Sequence, residues 1–143
     1  MSNNWEMVIG LEVHAQLKTS SKLFSSSPNL FGSEPNENVN FIDSGMPGML
    51  PVLNWACIEK AIKTGFALNF TINKHSVFER KNYFYPDLPQ GYQISQFEFP
   101  ILSEGYLEID QPDGSAKKIR IERAHLEQDA GKSIHDIDPK LSF

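Results

Sequence analysis

The sequence has 143 residues, of which 40% are hydrophobic and 22% are charged, and its net charge is −5. These values predict one soluble domain with a hydrophobic core, and the acidic balance argues against a protein that binds nucleic acid through a generally basic surface. Cys57 is the single cysteine, so no internal disulfide can form, and no apolar run approaches the length of a membrane span. We therefore expect a cytoplasmic protein without a membrane partner.

The N-terminal part combines an alternating segment with a turn-rich one. Residues 5–18 alternate between apolar and mostly polar side chains, which predicts a strand. Glu12 and His14 would project from one face of it, roughly 6–7 Å apart. A carboxylate and an imidazole at this spacing can converge on one metal ion, although a solvated strand face is the commoner explanation for either alone. Residues 19–53 are predicted to form ordered loops with a short strand near 39–43.

A helix is predicted over residues 55–69. Asn54 is a good N-cap residue, and apolar side chains then recur at three- and four-residue spacing. The residues expected to face the core are Trp55, Ile58, Ile62 and Phe66.

Aromatic and polar side chains are interleaved in residues 80–96, after a short strand predicted over 76–80. Pro86 and Pro89 exclude a regular helix or a central strand. The composition favours a rigid loop that walls a pocket, and an irregular loop that covers the core is the alternative. The polar side chains expected at this pocket are Lys81, Asp87, Gln93, Ser95 and Gln96.

Residues 105–110 and 116–127 predict a hairpin around a turn at 112–114. The second strand continues its alternation with His125, Glu127 and Asp129. If that strand stays regular, a half-buried acidic cluster results, which is costly without a cation. A set formed by Glu12, His14 and Glu127 would suit Mg²⁺ or Mn²⁺.

The triplet at residues 131–133 has the sequence Gly-Lys-Ser, as at the end of a phosphate-binding P-loop. That motif needs a glycine five positions earlier, where this chain has Leu126. The triplet is therefore not a Walker motif, and Lys132 is only a candidate for contacting phosphate.

Four ordered motifs resemble the B subunit of the three-subunit Glu-tRNA(Gln)/Asp-tRNA(Asn) amidotransferase. They are Ile-Gly-Leu-Glu-Val-His at 9–14, Pro-Gly-Met-Leu-Pro-Val-Leu-Asn at 47–54, the stretch 80–96, and His-Leu-Glu-Gln-Asp-Ala-Gly-Lys-Ser at 125–133. The family form is several times longer, and residues 138–143 enter an apolar pattern without a terminating turn. The resemblance implies that residues 1–143 are the N-terminal part of its catalytic domain.

The resemblance also implies a fold, an activity and site residues. The fold is α+β, a mostly antiparallel sheet with a packed helix, like the cradle of glutamine synthetase and guanidino kinases. ATP would phosphorylate the side-chain carboxylate of a mischarged glutamate or aspartate on tRNA, and ammonia would displace the phosphate. The implied roles are metal binding by Glu12, His14 and Glu127; catalysis by Lys81, His125 and Lys132; and cofactor binding by Gln93, Ser95 and Gln96.

The implied partners are an amidase (A) subunit that releases ammonia, a small C subunit and the mischarged tRNA. Many members of the family carry a zinc site made of two cysteine pairs. This chain has other residues there, which predicts no structural zinc. Those residues are Ser25, Ser27, Asn40 and Asp43.

Two other functions use the same features. The Glu/His cluster would also suit a metal-dependent hydrolase, and the aromatic stretch would also suit a non-catalytic domain that docks a partner.

Overall fold

The computed structural model describes residues 4–135 and 140. Within them lie one helix, α1, and five strands: α1 (Trp55–Ala67), β1 (Thr71–Ile72), β2 (Glu79–Asn82), β3 (Tyr92–Ser95), β4 (Leu102–Asp110) and β5 (Ala116–Ala124). All strand pairs are antiparallel, with β1, β4 and β5 in one sheet in that order and β2 and β3 in a second. This mixture of a helix and antiparallel sheets is compatible with the predicted α+β class. The apolar pattern noted at 138–143 lies, apart from residue 140, outside the described residues.

Helix α1 begins where the sequence predicts. The side chain of Asn54 accepts a hydrogen bond of 3.0 Å from the amide of Ala56, which satisfies one of the free amides of the first turn. Asn69 takes a left-handed conformation with φ of 54°, which stops the helix two residues before the predicted end. Among the described residues, no helix has both the length and the apolar content that crossing a bilayer requires.

The buried face of α1 differs from the predicted one. It consists of the small residues Cys57, Ala61 and Gly65, whereas Trp55 and Phe66 are 67% and 74% exposed. A Cβ at Gly65 would lie 2.6 Å from Leu102, so the small side chains let the helix approach β4 closely. Of the predicted residues, Ile58 is partly buried and packs against the core, whereas Trp55 and Phe66 remain exposed because the small residues form the face closest to the sheet.

The core lies between α1 and the three-stranded sheet. Its buried residues are Ala61, Phe70, Ile101, Leu102 and Leu126. Leu126 belongs to the irregular segment that follows β5. Its burial, at 7% exposure, fixes that segment against the fold and therefore positions the two residues on either side of it.

The hairpin of β4 and β5 confirms the prediction, with Gly114 at φ of 81° in its turn. Strand β5 ends at Ala124, however, three residues before the predicted end, and residues 125–135 have no regular secondary structure. His125, Glu127 and Asp129 therefore do not continue the face of a strand.

The strand predicted over residues 5–18 is wrong. In the described part of the chain, residues 4–19 pair with no strand, and the apolar side chains of this segment lie in solvent except that of Leu17, which packs against the core. Leu11 and Val13, for example, are 88% and 87% exposed. Alternation predicts an extended segment, but a strand also requires a neighbour for its backbone hydrogen bonds.

Of the two shorter strand predictions, the one near 39–43 is wrong and the one over 76–80 is displaced along the chain. Residues 41–45 form turns, because the side chain of Asn40 accepts hydrogen bonds from the amides of Ile42 and Asp43, at 2.9 and 3.1 Å. The strand predicted over 76–80 begins later, as β2. The predicted loop over 80–96 is reduced to residues 83–91, since its two ends form the hairpin of β2 and β3.

The four residues at the expected zinc position form a hydrogen-bonded cluster around the carboxylate of Asp43. Ser25 and Ser27 donate hydroxyl hydrogen bonds to it at 2.8 and 2.6 Å, and the amide of Asn40 donates one at 3.0 Å. Lys22 adds an ion pair at 3.4 Å. Two loops are thus joined through one carboxylate without a thiolate, and the absence of zinc stays a prediction.

The fit of β4 against Phe70 predicts that Gly105→Ala destabilises the fold. A Cβ at Gly105 would lie 2.6–2.7 Å from ring atoms of the buried Phe70, and a rigid ring cannot yield as a chain end does. We expect a loss of about 1–3 kcal/mol of unfolding free energy, measured by urea denaturation. Gly131→Ala is the matched control because no atom lies within 4 Å of that Cβ. Equal stability of the two variants would contradict the packing described.

The Asp43 cluster predicts a pH-dependent contribution to stability. Burial alone would raise the pKa of Asp43, but the hydrogen bonds from Ser27, Ser25 and Asn40 and the charge of Lys22 outweigh it and hold the pKa below its ordinary value of 3.8. The stabilisation is therefore complete above pH 3.8 and is lost as the pH falls through the lower pKa of the folded state.

We expect Asp43→Asn to cost about 1–3 kcal/mol of unfolding free energy near pH 7, because charge-assisted hydrogen bonds are lost. The difference from the unsubstituted chain should narrow when denaturation is repeated near pH 3. The exposed Asp110→Asn serves as control. A difference that stays constant or grows at low pH would show that the carboxylate does not stabilise these loops.

Candidate active site on the β2–β3 hairpin

The candidate site lies on one face of the β2–β3 hairpin. Lys81 pairs with Gln93, and Glu79 pairs with Ser95, in the antiparallel register. Because side chains alternate along a strand, Lys81, Gln93 and Ser95 share this face. Gln93 and Ser95 are buried on it, at 8% and 7% exposure.

The segment after β5 lies along the free edge of β3 like an additional strand. The amide of Gln128 donates to the carbonyl of Ile94 at 2.8 Å, and its side-chain oxygen accepts from the amide of Ile94 at 3.3 Å. The amide of Leu126 donates to the side-chain oxygen of Gln96 at 3.1 Å. These contacts on both sides hold Glu127 directly over the hairpin face.

Glu127 is the centre of the site. Its carboxylate accepts a hydrogen bond from Gln93 at 3.3 Å, and it lies 3.4 Å from the ammonium of Lys81 and 3.9 Å from Nε2 of His125. Burial would raise the pKa of Glu127, but a hydrogen bond from Ser95 and the charge and hydrogen bond of Lys81 lower it. The carboxylate is therefore ionised at neutral pH although its side chain is only 17% exposed.

The neighbouring imidazole is held in its neutral form. Burial is the largest cause that lowers the pKa of His125, and the charges of Arg123 and Lys81 act in the same direction. The charges of Glu127 and Glu12 oppose this effect without cancelling it. A neutral imidazole keeps one ring nitrogen free to accept a proton or to bind a metal ion.

The structure does not assemble the predicted metal ligands into one group. Glu12 and His14 lie 3.3 Å apart and are 77% and 74% exposed, on the segment without a strand partner. Among residues 4–135 and 140, no three His, Cys, Asp or Glu side chains are close enough together to hold a metal ion. Glu12 is near enough for its charge to affect His125. The metal assignment of Glu12, His14 and Glu127 therefore stays a prediction.

The donor types fit a divalent cation even though their arrangement is incomplete. Glu127 is ionised and His125 is neutral, which are the protonation states that metal binding requires. Lys81 currently neutralises part of the charge of Glu127. A cation would therefore compete with this ammonium for the carboxylate.

The remaining predicted residues fall into two classes. Gln93, Ser95 and Gln96 are buried, and their polar groups are hydrogen-bonded within the protein. Lys132 is exposed, on a segment held to the 83–91 loop by a hydrogen bond of 2.8 Å from the amide of Ser133 to the carbonyl of Asp87. The structure does not test a role for any of them in binding a nucleotide.

The aromatic side chains of the 83–91 loop are mostly exposed beside the site and do not line a pocket as predicted. Phe84 and Tyr85 are 86% and 63% exposed. Tyr83 is the exception, because its hydroxyl donates a hydrogen bond of 2.7 Å to the side-chain oxygen of Gln93. Sequence reasoning missed this role of Tyr83 and the anchoring role of Gln128. The alternation of Gln93 and Ser95 was a signal for a strand, but nothing local indicates which residues it meets.

The known proteins that resemble this chain carry the same name. The relatives include the B subunits of aspartyl/glutamyl-tRNA(Asn/Gln) amidotransferases from Dinoroseobacter shibae, 63% identical over 140 residues, and from Paramagnetospirillum magneticum, 61% identical over 142 residues. These alignments cover 98% and 99% of this chain but only 28% and 29% of the relatives. The chain thus spans less than a third of the length of the curated relatives it matches.

A family model described as the GatB/GatE catalytic domain matches residues 7–143. This match includes all four motifs noted in the sequence and every residue of the candidate site. The chain belongs to the GatB/GatE catalytic domain family.

Proposed function

We propose that this chain is the N-terminal part of a larger protein that converts Glu-tRNA(Gln), Asp-tRNA(Asn) or both into the correctly amidated Gln-tRNA(Gln) and Asn-tRNA(Asn). The observation that carries the proposal is the family match over residues 7–143, together with relatives whose names make them the B subunit of an amidotransferase for these two tRNAs. The fold proposed for the complete domain is the glutamine synthetase-like cradle, and the two antiparallel sheets described here are compatible with it.

The chemistry requires activation of a carboxylate. A carboxylate is a poor electrophile because amide formation would have to expel oxide. Transfer of the γ-phosphoryl group of ATP to a side-chain oxygen gives an acyl phosphate and ADP. Ammonia then attacks the acyl carbon, phosphate leaves with the carbon–oxygen bond electrons, and the attacking nitrogen loses a proton to give the amide.

The ionised Glu127 is a candidate for holding Mg²⁺ or Mn²⁺, joined by Glu12 and His14 from the N-terminal segment. When bound, such an ion neutralises phosphate oxygens during phosphoryl transfer. Glu127 supports this assignment because its carboxylate is held ionised beneath the surface. The protein would contribute by holding the charge of Glu127 in place before the cation binds.

The cationic and basic groups have separate roles in the proposal. The ammonium of Lys81 is 53% exposed beside Glu127, where it would attract an anionic phosphate. His125 would accept the proton that the attacking nitrogen loses, because its imidazole is neutral. Lys132 is exposed on the segment that carries Glu127, where it would contact phosphate or the aminoacyl end of the substrate.

The complete assembly would include partners that this chain does not contain. Ammonia would come from an amidase (A) subunit, with a small C subunit completing a cytoplasmic heterotrimer. Relatives that carry the name of a B subunit support this organisation. Mischarged tRNA would bind largely outside this acidic chain, whose net charge is −5.

The proposal predicts that Glu127→Gln nearly abolishes amide formation in the full-length protein with its partner subunits. The substitution keeps the shape but removes the charge that would hold the cation. We expect at least a roughly 100-fold fall in ATP- and ammonia-dependent formation of Gln-tRNA, and weaker binding of Mn²⁺. The readouts are acid-gel analysis of the charged tRNA and equilibrium dialysis with Mn²⁺.

Glu108→Gln is the matched control, since Glu108 is exposed on β4 opposite Lys118 and away from the hairpin of β2 and β3. It should leave both readouts unchanged. Normal Mn²⁺ binding and normal amide formation by Glu127→Gln would refute the site. Metal-dependent hydrolysis of phosphate esters without ATP would favour the hydrolase instead.

A further inference from the structure

The side chain of Gln93 has no hydrogen-bond donor left for a ligand. One amide hydrogen goes to Glu127 Oε1 at 3.3 Å, and the other goes to the carbonyl of Gln128 at 2.8 Å. The amide oxygen accepts from the hydroxyl of Tyr83 at 2.7 Å. With 8% exposure, Gln93 is buried among the residues it holds.

The orientation of this amide is fixed by its neighbours. Both groups opposite the nitrogen, a carboxylate and a backbone carbonyl, can only accept hydrogen bonds. A flipped amide would point its oxygen at both of them and lose two hydrogen bonds. The Tyr83 hydroxyl, which can donate or accept, donates to the oxygen in this orientation.

Gln93 therefore forms hydrogen bonds with two consecutive residues of the segment after β5. It holds the side chain of Glu127 and the backbone of Gln128 with the same nitrogen. The side chain of Glu127 has three rotatable bonds. The two hydrogen bonds restrict its carboxylate and the backbone that follows it. Tyr83 holds Gln93 from the other end and makes no hydrogen bond to Glu127 among the described residues. The ring of Tyr83 also lies 5.4 Å from the ammonium of Lys81, a contact that Tyr83→Phe keeps.

We propose that Tyr83 and Gln93 act in series as positioning residues for Glu127, with Tyr83 fixing the amide of Gln93 and Gln93 fixing the carboxylate. This inference rests on the proposed function, since it assigns to Glu127 the binding of a divalent cation. Residues that orient a metal ligand typically change metal affinity or activity by about 10- to 100-fold when they are replaced. A residue that only stabilises the fold would not act on the cation through Glu127.

The test uses the full-length protein and Mn²⁺ alone as the probe. Tyr83→Phe keeps the ring and removes only the hydroxyl, and Gln93→Met keeps the length and removes all three hydrogen bonds. We expect the dissociation constant for Mn²⁺ to rise about 10-fold for Tyr83→Phe and more for Gln93→Met. Tyr106→Phe is the matched control, since its hydroxyl makes no hydrogen bond in the described structure and its ring lies on β4.

The double variant tests whether the two residues act in series. Once Gln93 is methionine, removal of the Tyr83 hydroxyl should change Mn²⁺ binding by less than about twofold, so the two effects are strongly non-additive. In the amidation assay, kcat should fall in both single variants while the KM for charged tRNA stays within about twofold. If Gln93→Met does not fold, the Tyr83→Phe measurement alone decides.

Two failures can be told apart. If Glu127→Gln binds Mn²⁺ like the unsubstituted protein, the proposed function of the site is wrong. If Glu127→Gln loses Mn²⁺ binding but Tyr83→Phe matches Tyr106→Phe, only the positioning role is overturned. Additive effects of Tyr83→Phe and Gln93→Met would also overturn it.

Discussion

Glu127 carries a negative charge at a position where its side chain is only 17% exposed. A carboxylate at that depth is stable only when hydrogen bonds and opposite charges replace the lost water. Lys81, Gln93 and Ser95 supply them, and the register of β2 and β3 places these three residues on one face. The site therefore depends on the hairpin of β2 and β3, whose side chains compensate the negative charge of Glu127.

This arrangement also explains how a weakly structured segment becomes a precise part of the site. Residues 125–135 have no regular secondary structure, yet Leu126 is buried in the core and Gln128 pairs with Ile94. Glu127 lies between these two anchors. Its position is therefore determined jointly by the hydrophobic core and by the β3 backbone, and a change in either would move the carboxylate.

The sequence predicted those elements that local signals determine. The Asn54 cap located the start of α1, and the turn at 112–114 located the β4–β5 hairpin. It did not predict contacts between residues that lie far apart along the chain. The alternating residues 5–18 have no neighbouring strand in the described structure. The face of α1 that packs closest to β4 is the one that carries the small residue Gly65. At the site, the sequence singled out Lys81, Gln93 and Glu127, but the contacts from Tyr83 and Gln128 arise only from tertiary pairing.

The central claim is that Glu127, held by this hairpin, is the carboxylate around which a divalent ion binds in the complete protein. The most direct measurement is anomalous diffraction from crystals of the full-length protein soaked in Mn²⁺. We predict an anomalous peak beside the carboxylate of Glu127, with Glu12 or His14 brought within ligand distance and Gln93 still bonded to Glu127. A peak at other residues, or an occupied Mn²⁺ site with Glu127 still bound only to Lys81 and Gln93, would contradict it.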